Sequence, residues 1–258
     1  FLSRKKAELG VGIARMEDRY FQTNIIDFSE TKHDKSTYSI FGGSIVLEGS
    51  TLNARQFATQ GSREKMAAQI FTGTEHFRSG ASKVTKDTPE PYKKVQSWLQ
   101  VSYQNETYHK VSPKFTLGAY LEAYYSSRNF SNNYTATLMQ AGEFTPTAHS
   151  KVTYNEAFRA NQYAGVGAMP IYQLSESFQL RGEFYGFIPI FPIKKDEYGQ
   201  AYYGKAFTKF EYLGEISLVF QLSFGSISAY VNHYSSPSND WNVGLTLGWQ
   251  LFNSRFIE

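Results

Sequence analysis

From Trp241 to Phe252 the side chains alternate between two kinds. Trp241, Val243, Leu245, Leu247, Trp249 and Leu251 fall on one face of an extended strand, and Asn242, Gly244, Thr246, Gly248 and Gln250 fall on the other. Successive residues of a strand point to opposite faces, so this order specifies one apolar face and one small, polar face. A soluble sheet can alternate too, but an ordinary strand is only about 5–6 residues long, and here the alternation runs from Trp241 to Phe252 with an aromatic at each end of the apolar face. A strand that crosses a bilayer needs about 9–11 tilted residues, an outward apolar band between aromatic girdles, and a polar inner face. This segment has each of these, and Trp241 and Trp249 are its expected girdle residues.

The rest of the composition agrees. Phe, Tyr and Trp make up 17% of the 258 residues, the mean hydropathy is −0.43, and there is no Cys, so disulfides and thiolate metal sites are excluded. No apolar run approaches the roughly 18 residues that a membrane helix requires, whereas a membrane barrel reads as hydrophilic because every second residue faces inward. The net charge of +3 is small and the basic residues are scattered, which argues against nucleic acid as a partner. Phe1-Leu-Ser-Arg-Lys-Lys6 has neither the apolar core nor the cleavage site of a signal peptide, so either a signal has been removed or the chain starts partway through a longer protein.

Period-2 segments place strands near 7–14, 20–28, 37–48, 64–73, 96–107, 114–126, 162–173, 178–190, 207–222, 225–235 and 241–252. That is about eleven antiparallel strands and essentially no helix. Leu180, Phe184, Leu218, Phe220, Leu245 and Leu247 are expected to face lipid, and Arg181, Ser217 and Thr246 the inside. Short links (Arg15–Arg19, His109–Pro113, Leu174–Ser177, Ser223–Gly225) alternate with long polar ones (Thr74–Val95, Ser127–Asn161, Phe191–Ala206), as periplasmic turns alternate with external loops in outer-membrane barrels. Gly49–Arg63 breaks the alternation, being long on the short-turn side.

Two irregular segments carry a family resemblance. Asn53-Ala-Arg-Gln-Phe-Ala-Thr-Gln-Gly-Ser-Arg63 resembles the turn before a barrel strand in the bacterial surface antigen superfamily, whose pattern often reads Phe-Pro-Thr-Arg-Gly; Ala58 and Gln60 stand for its Pro and Arg. Phe158-Arg159-Ala160-Asn161, at the end of the longest loop, resembles that superfamily's Arg-bearing loop tip, usually Val-Arg-Gly-aromatic, without the Gly. With Asn129-Phe-Ser-Asn-Asn-Tyr-Thr-Ala-Thr-Leu-Met-Gln-Ala-Gly-Glu-Phe-Thr-Pro-Thr-Ala-His-Ser150 and Pro170-Ile-Tyr172, the stretch from about residue 50 to 252 is similar to the barrel of patatin-like outer-membrane proteins of the Bacteroidetes. The resemblance implies a sixteen-stranded barrel with five strands after the Arg-bearing loop. Five expected strands do follow Asn161, so the chain reads as one outer-membrane domain over residues 1–258, about the last eleven strands of sixteen. Five strands, and any periplasmic or patatin domain, would precede it. The resemblance further implies that the loop tip, with Phe158 and Asn161, folds into the lumen and that Arg159 pairs with an acidic residue on a nearby strand. Glu183, inward in Gln179-Leu-Arg-Gly-Glu183, is the expected partner.

The chemistry of a lipase is not in this sequence. A patatin-like nucleophile sits in Gly-x-Ser-x-Gly on a strand-to-helix elbow, with an Asp in an Asp-Gly pair; Gly42-Gly-Ser-Ile-Val46 and Gly225-Ser-Ile-Ser228 are the nearest approaches, and both are strand sequence. His233 and Ser235, two apart on one strand face, resemble the pair of outer-membrane phospholipases but lack the surrounding motif. They read instead as a solvated interface His and its neighbour. His33, His76, His109, His149 and His233 show no two-His metal spacing, and Ser238, Asn239 and Asp240 read as a turn. The expectation is a non-catalytic module, without cofactor or metal, that anchors or translocates a patatin-like phospholipase domain. Its partners are outer-membrane lipid, the N-terminal part of the same protein, the barrel assembly machinery during biogenesis and, as a further arrangement, a second copy. An assembly or translocation barrel without a lipase, a porin and a barrel phospholipase are the alternatives.

Overall fold

The computed structural model describes residues 4–21, 33–80, 91–223, 225–236 and 241–249, with the main chain alone at Arg4 and Trp249. In chain order the elements are β1 (Arg4–Tyr20), β2 (Asp34–Ser50), β3 (Gly61–Arg78), β4 (Tyr92–Lys110), β5 (Phe115–Ser126), α1 (Tyr134–Gln140), β6 (Gly142–Glu143), β7 (Arg159–Ala160), β8 (Gln162–Gln173), β9 (Phe178–Pro189), β10 (Ile193–Lys195), β11 (Ala201–Tyr203), β12 (Glu211–Leu222), β13 (Gly225–Tyr234) and β14 (Trp241–Trp249). One antiparallel sheet takes ten of the strands in the order β1-β2-β3-β4-β5-β8-β9-β12-β13-β14, each next to the strand that precedes it in the sheet. The fold is therefore all-β and antiparallel, as expected. β6 with β7, and β10 with β11, form two small ribbons inside the long connections.

Alternation decides which face each side chain takes. Leu180, Phe184, Ile216, Leu218, Leu245 and Leu247 are exposed on the outer face, while their neighbours Gln179, Arg181, Glu183, Glu215 and Ser217 are buried on the inner one. At the short-turn end of the outer face Phe178 stacks on Phe220 with ring centroids 4.5 Å apart, and at the long-loop end Trp241 lies 4.9 Å from the His233 ring. The side chain of Trp249, the other expected girdle residue, lies outside the described residues. No helix among the described residues is long and apolar enough to cross a membrane.

Among the described residues the sheet holds ten of the about eleven strands expected. The segments expected at 7–14 and 20–28 are one strand as far as Tyr20, and residues 22–28 lie outside the described residues. The charges of Arg15–Arg19 suggest a turn, yet these residues pair one for one with Ser39–Lys35 of β2. Alternation again resolves the charges: Glu17 points outward and bonds Lys35 at 2.5 Å and Arg19 at 2.7 Å, while Asp18 points inward and accepts from Gln140 at 2.6 Å. β1 to β4 are 17 to 19 residues long. At about 3.4 Å per residue they extend about 60 Å, several times an ordinary strand of about 5–6 residues. β1 bonds only β2 in this sheet and β14 only β13, and the two edges are not joined to each other among the described residues.

The inner face is covered by two segments of the chain. Residues 51–60, between β2 and β3, fold back against it from the short-turn end, which accounts for the length of Gly49–Arg63. The 127–161 connection enters from the opposite end and contains the one helix, α1. A single apolar cluster joins them to the strands: Ala58 of the turn and Phe144, Phe158 and Ala160 of the long loop pack with Tyr108, Tyr163, Tyr185 and Phe187.

Candidate functional site

The turn at residues 51–60 is pinched shut by its own polar groups. Asn53 Oδ1 accepts from the backbone N–H of Thr59 at 3.0 Å and of Gln60 at 3.1 Å, and Asn53 Nδ2 donates to Thr59 Oγ1 at 3.0 Å. Gly61 closes it at φ +92, where an added Cβ would lie 2.2 Å from the Thr51 carbonyl oxygen, so no other residue fits. Phe57 holds φ +53, a conformation that costs a non-glycine residue about 1 kcal/mol or more. Inner-face side chains offset that cost through the turn's carbonyls: Gln179 and Gln221 each donate to Phe57 O at 3.3 Å, and Arg181 Nη1 donates to Ala58 O at 2.9 Å.

Arg181 is the centre of this arrangement. It stands on β9 and is 2% exposed, with Nε 2.5 Å from Glu183 Oε1 and Nη2 donating to the Tyr108 hydroxyl of β4 at 2.9 Å. One guanidinium thus ties together β9, β4 and the turn between β2 and β3. Glu183 also accepts from the Tyr185 hydroxyl at 3.1 Å. A buried guanidinium requires this degree of satisfaction, because several kcal/mol of lost hydration must be offset.

The long loop is built around α1. Asn133 caps it by accepting from Ala136 N–H at 2.8 Å and reaches β1 by donating to Tyr20 OH at 3.0 Å. Seven residues are too few for a helix to stand alone, and its C-terminal carbonyls are satisfied from outside. Arg159 Nη1 donates to the carbonyls of Leu138 and Met139 at 3.3 Å and of Ala141 at 3.4 Å, while Nη2 is 2.8 Å from Glu143 Oε2. A cation near the C-terminus also complements the helix dipole. Beyond the helix, Phe144 packs onto Gly165 of β8, where an added Cβ would meet the ring at 2.1 Å. His149 then fastens the loop to the last strands: Nδ1 lies 2.8 Å from Glu215 Oε2 on β12, Nε2 lies 2.6 Å from Thr246 Oγ1 on β14, and the ring stacks on Tyr230 of β13. Glu215 is the direct cross-strand partner of Glu183, so two buried carboxylates face each other, and each has its own partner, His149 or Arg181. Like charges in that position are destabilising without such partners.

The expected Arg159–Glu183 pair is not formed. The loop tip does fold inward, with Phe158 and Asn161 buried and Asn161 Nδ2 donating to Tyr203 OH at 2.9 Å. Its register, set by β6 pairing with β7, places Arg159 beside Glu143 in the loop itself. Glu183 is taken by Arg181, two residues away on the same strand face. Sequence reasoning turned Arg181 inward but missed its role; a lone arginine on the inward row of an otherwise apolar-flanked strand was the available signal. His149 carried none, since its partners lie 66 and 97 residues away.

The His233–Ser235 pair does not form a dyad. Ser235 donates its hydroxyl to Glu211 and accepts from Tyr212 N–H at 2.9 Å, and His233 stacks on Tyr212 and lies tilted against Trp241. No group of three His, Cys, Asp or Glu side chains among the described residues is placed to hold a metal ion. Residues 238–240, read as a turn, lie outside the described residues. No protein-family model matches the chain, and no curated protein matches it significantly.

Proposed function

We propose that this chain is a β-barrel module of the outer membrane of a Gram-negative bacterium, of the surface antigen superfamily and the patatin-like type. It anchors or passes outward a patatin-like phospholipase domain of the same polypeptide and is non-catalytic in itself. The observation that carries the reading is the division between the sheet's faces. The outer face exposes Leu9, Val11 and Ile13 on one edge and Val243, Leu245 and Leu247 on the other, each at 67% or more, whereas the inner face buries Arg181, Glu183 and Glu215 among aromatic rings. In water each such outer side chain forgoes about 1.5–3 kcal/mol of burial, a loss that lipid removes. Among the described residues the outer edges of β1 and β14 are unpaired, which points the same way, because a bilayer cannot satisfy an unpaired strand edge. On this reading a sixteen-stranded barrel would hold six strands besides the ten described here. A lumen filled by residues 51–60 and 127–161 favours an anchor over an open diffusion pore. The patatin-like assignment itself rests on the resemblance of Asn53–Arg63 and Phe158–Asn161.

The test uses the complete reading frame. Membrane fractionation should place the protein in the outer membrane, with phospholipid hydrolysis that persists in a soluble upstream fragment and loses only its membrane attachment when residues 1–258 are removed. Hydrolysis that requires residues 1–258, or a protein that stays out of the membrane fraction, refutes the reading. A reading frame without Gly-x-Ser-x-Gly and Asp-Gly upstream favours the assembly barrel of the same superfamily, which the inward-folded loop tip also fits.

A further inference from the structure

The outer face changes character at the long-loop end of β1 to β4. Below that point it is apolar, with Leu9, Val11 and Ile13 on β1, Phe41 and Ile45 on β2, and Ile70 on β3 all exposed. The next outward positions are Arg15, Glu17 and Arg19 on β1, Lys35 on β2, His76 and Arg78 on β3, and Lys93 on β4. The register sets them side by side. Glu17, Thr37, His76 and Lys93 form one row across the four strands, and Arg19, Lys35 and Arg78 form the next. Among the described residues of this sector Arg15, Arg19, Lys35, Arg78 and Lys93 supply five permanent cations against the single carboxylate of Glu17, which Lys35 and Arg19 share. No carboxylate among the described residues is within ion-pair distance of Arg15, Arg78 or Lys93. Between the rows lies a groove of about 620 Å³, lined by Arg15, Lys35, His76, Arg78, Tyr92 and Lys93.

This cluster belongs to one sector and one end. At the same end the outward residues of β12 and β14 are Tyr212 and Trp241, uncharged aromatics. At the opposite end of β1 to β4 the outer face carries Lys5, Glu64 and Tyr103, where Tyr103 donates to Glu64 at 3.0 Å. We propose that the basic sector binds the phosphorylated headgroup of a lipid in the leaflet at the long-loop end, which in outer-membrane barrels is the external one. The inference rests on the membrane-barrel reading above. Arginine forks and lysine ammonium groups are suited to phosphate oxygens. Three strand spacings make the sector about 14 Å wide, enough for a headgroup with two phosphates. Its place directly above the apolar rows lets the acyl chains of the same lipid lie on Ile13, Phe41 and Ile70, so a lipid fits better than a free anion.

The complete protein in nanodiscs of neutral phosphatidylcholine is titrated with bisphosphorylated lipid A, with the same lipid A after dephosphorylation, and with inorganic phosphate. The bound lipid is read by native mass spectrometry. The expected result is at least tenfold tighter binding of the bisphosphorylated form, weakening as salt rises, and no stable binding of inorganic phosphate. Arg15→Ser, Arg78→Ser, Lys93→Ser together should abolish most of the preference, while Lys110→Ser, Lys114→Ser, Lys205→Ser keeps it. Should the first triple variant fail to fold, Arg78→Gln with Lys93→Gln should lower the preference severalfold. Equal binding of the two lipid A forms, an unchanged preference in the basic-sector variants, or phosphate binding as tight as lipid overturns the proposal while leaving the barrel reading intact. Failure to enter neutral nanodiscs at all overturns both.

Discussion

Truncation of Arg181 to Ala removes a buried cation from three partners at once, and its cost can be worked from the geometry. Glu183 loses the Nε contact at 2.5 Å and keeps only the Tyr185 hydroxyl at 3.1 Å, while facing the buried Glu215 across β12. Breaking a buried ion pair by removing one member costs about 3–5 kcal/mol. Loss of the bonds to Ala58 O and Tyr108 OH acts in the same direction, while the Tyr185 bond to Glu183 is made before and after the change and does not alter the difference. We expect Arg181→Ala to destabilise by about 3–5 kcal/mol. The Arg181→Ala, Glu183→Ala double variant should cost less than the sum of its singles by about 1.5 kcal/mol or more, because it leaves no stranded carboxylate. The Arg159→Ala, Glu183→Ala cycle should be additive within about 0.5 kcal/mol, since Arg159 bonds Glu143 and the end of α1 instead. The assay is a set of urea midpoints in detergent, followed by tryptophan emission and by the heat-modifiable band on gels, in the complete protein. Additivity at Arg181 and Glu183, or coupling above about 1 kcal/mol between Arg159 and Glu183, refutes this account of the site.

Three further outcomes follow from the same structure and are read by the same midpoints. Leu218→Arg should cost about 2–4 kcal/mol near mid-bilayer. Ser217→Ala beside it should be neutral within about 0.5 kcal/mol or stabilising, because the buried Ser217 hydroxyl has no partner among the described residues; similar costs at the two positions would refute the assignment of faces. Gly165→Ala forces a methyl against the Phe144 ring and should cost about 1–3 kcal/mol, whereas Gly12→Ala, with nothing within 4 Å of the new Cβ, should cost nothing. His149→Ala strands Glu215 and frees Thr246, for a loss of about 1–3 kcal/mol, and amide exchange at residues 147–153 should rise with it; unchanged protection there would show that His149 does not hold the loop.

The outer face of this protein was determined by the sequence alone. An exposed apolar face needs only an apolar side chain at every second position, and the rows through Leu180 and Phe184, Leu218 and Phe220, and Leu245 and Leu247 record that locally. Polar strand ends were less legible: Arg15–Arg19 reads as a turn because charge and period are the only local signals there, and only pairing with Ser39–Lys35 shows that the strand continues. The inward folding of the loop tip was expected from the resemblance at Phe158–Asn161, and Phe158 and Asn161 are both buried. What fills the inside was decided by tertiary structure. The partner of a buried charge is whichever group the fold brings within about 3 Å, and that depends on register and on segments far apart in the chain. Arg181 therefore bonds a carbonyl 123 residues away, His149 holds a carboxylate 66 residues away, and Arg159 caps the helix of its own loop. Hydrophobic burial is non-directional and shows in composition and period, whereas satisfaction of a buried ion is directional and appears only once the chain has folded.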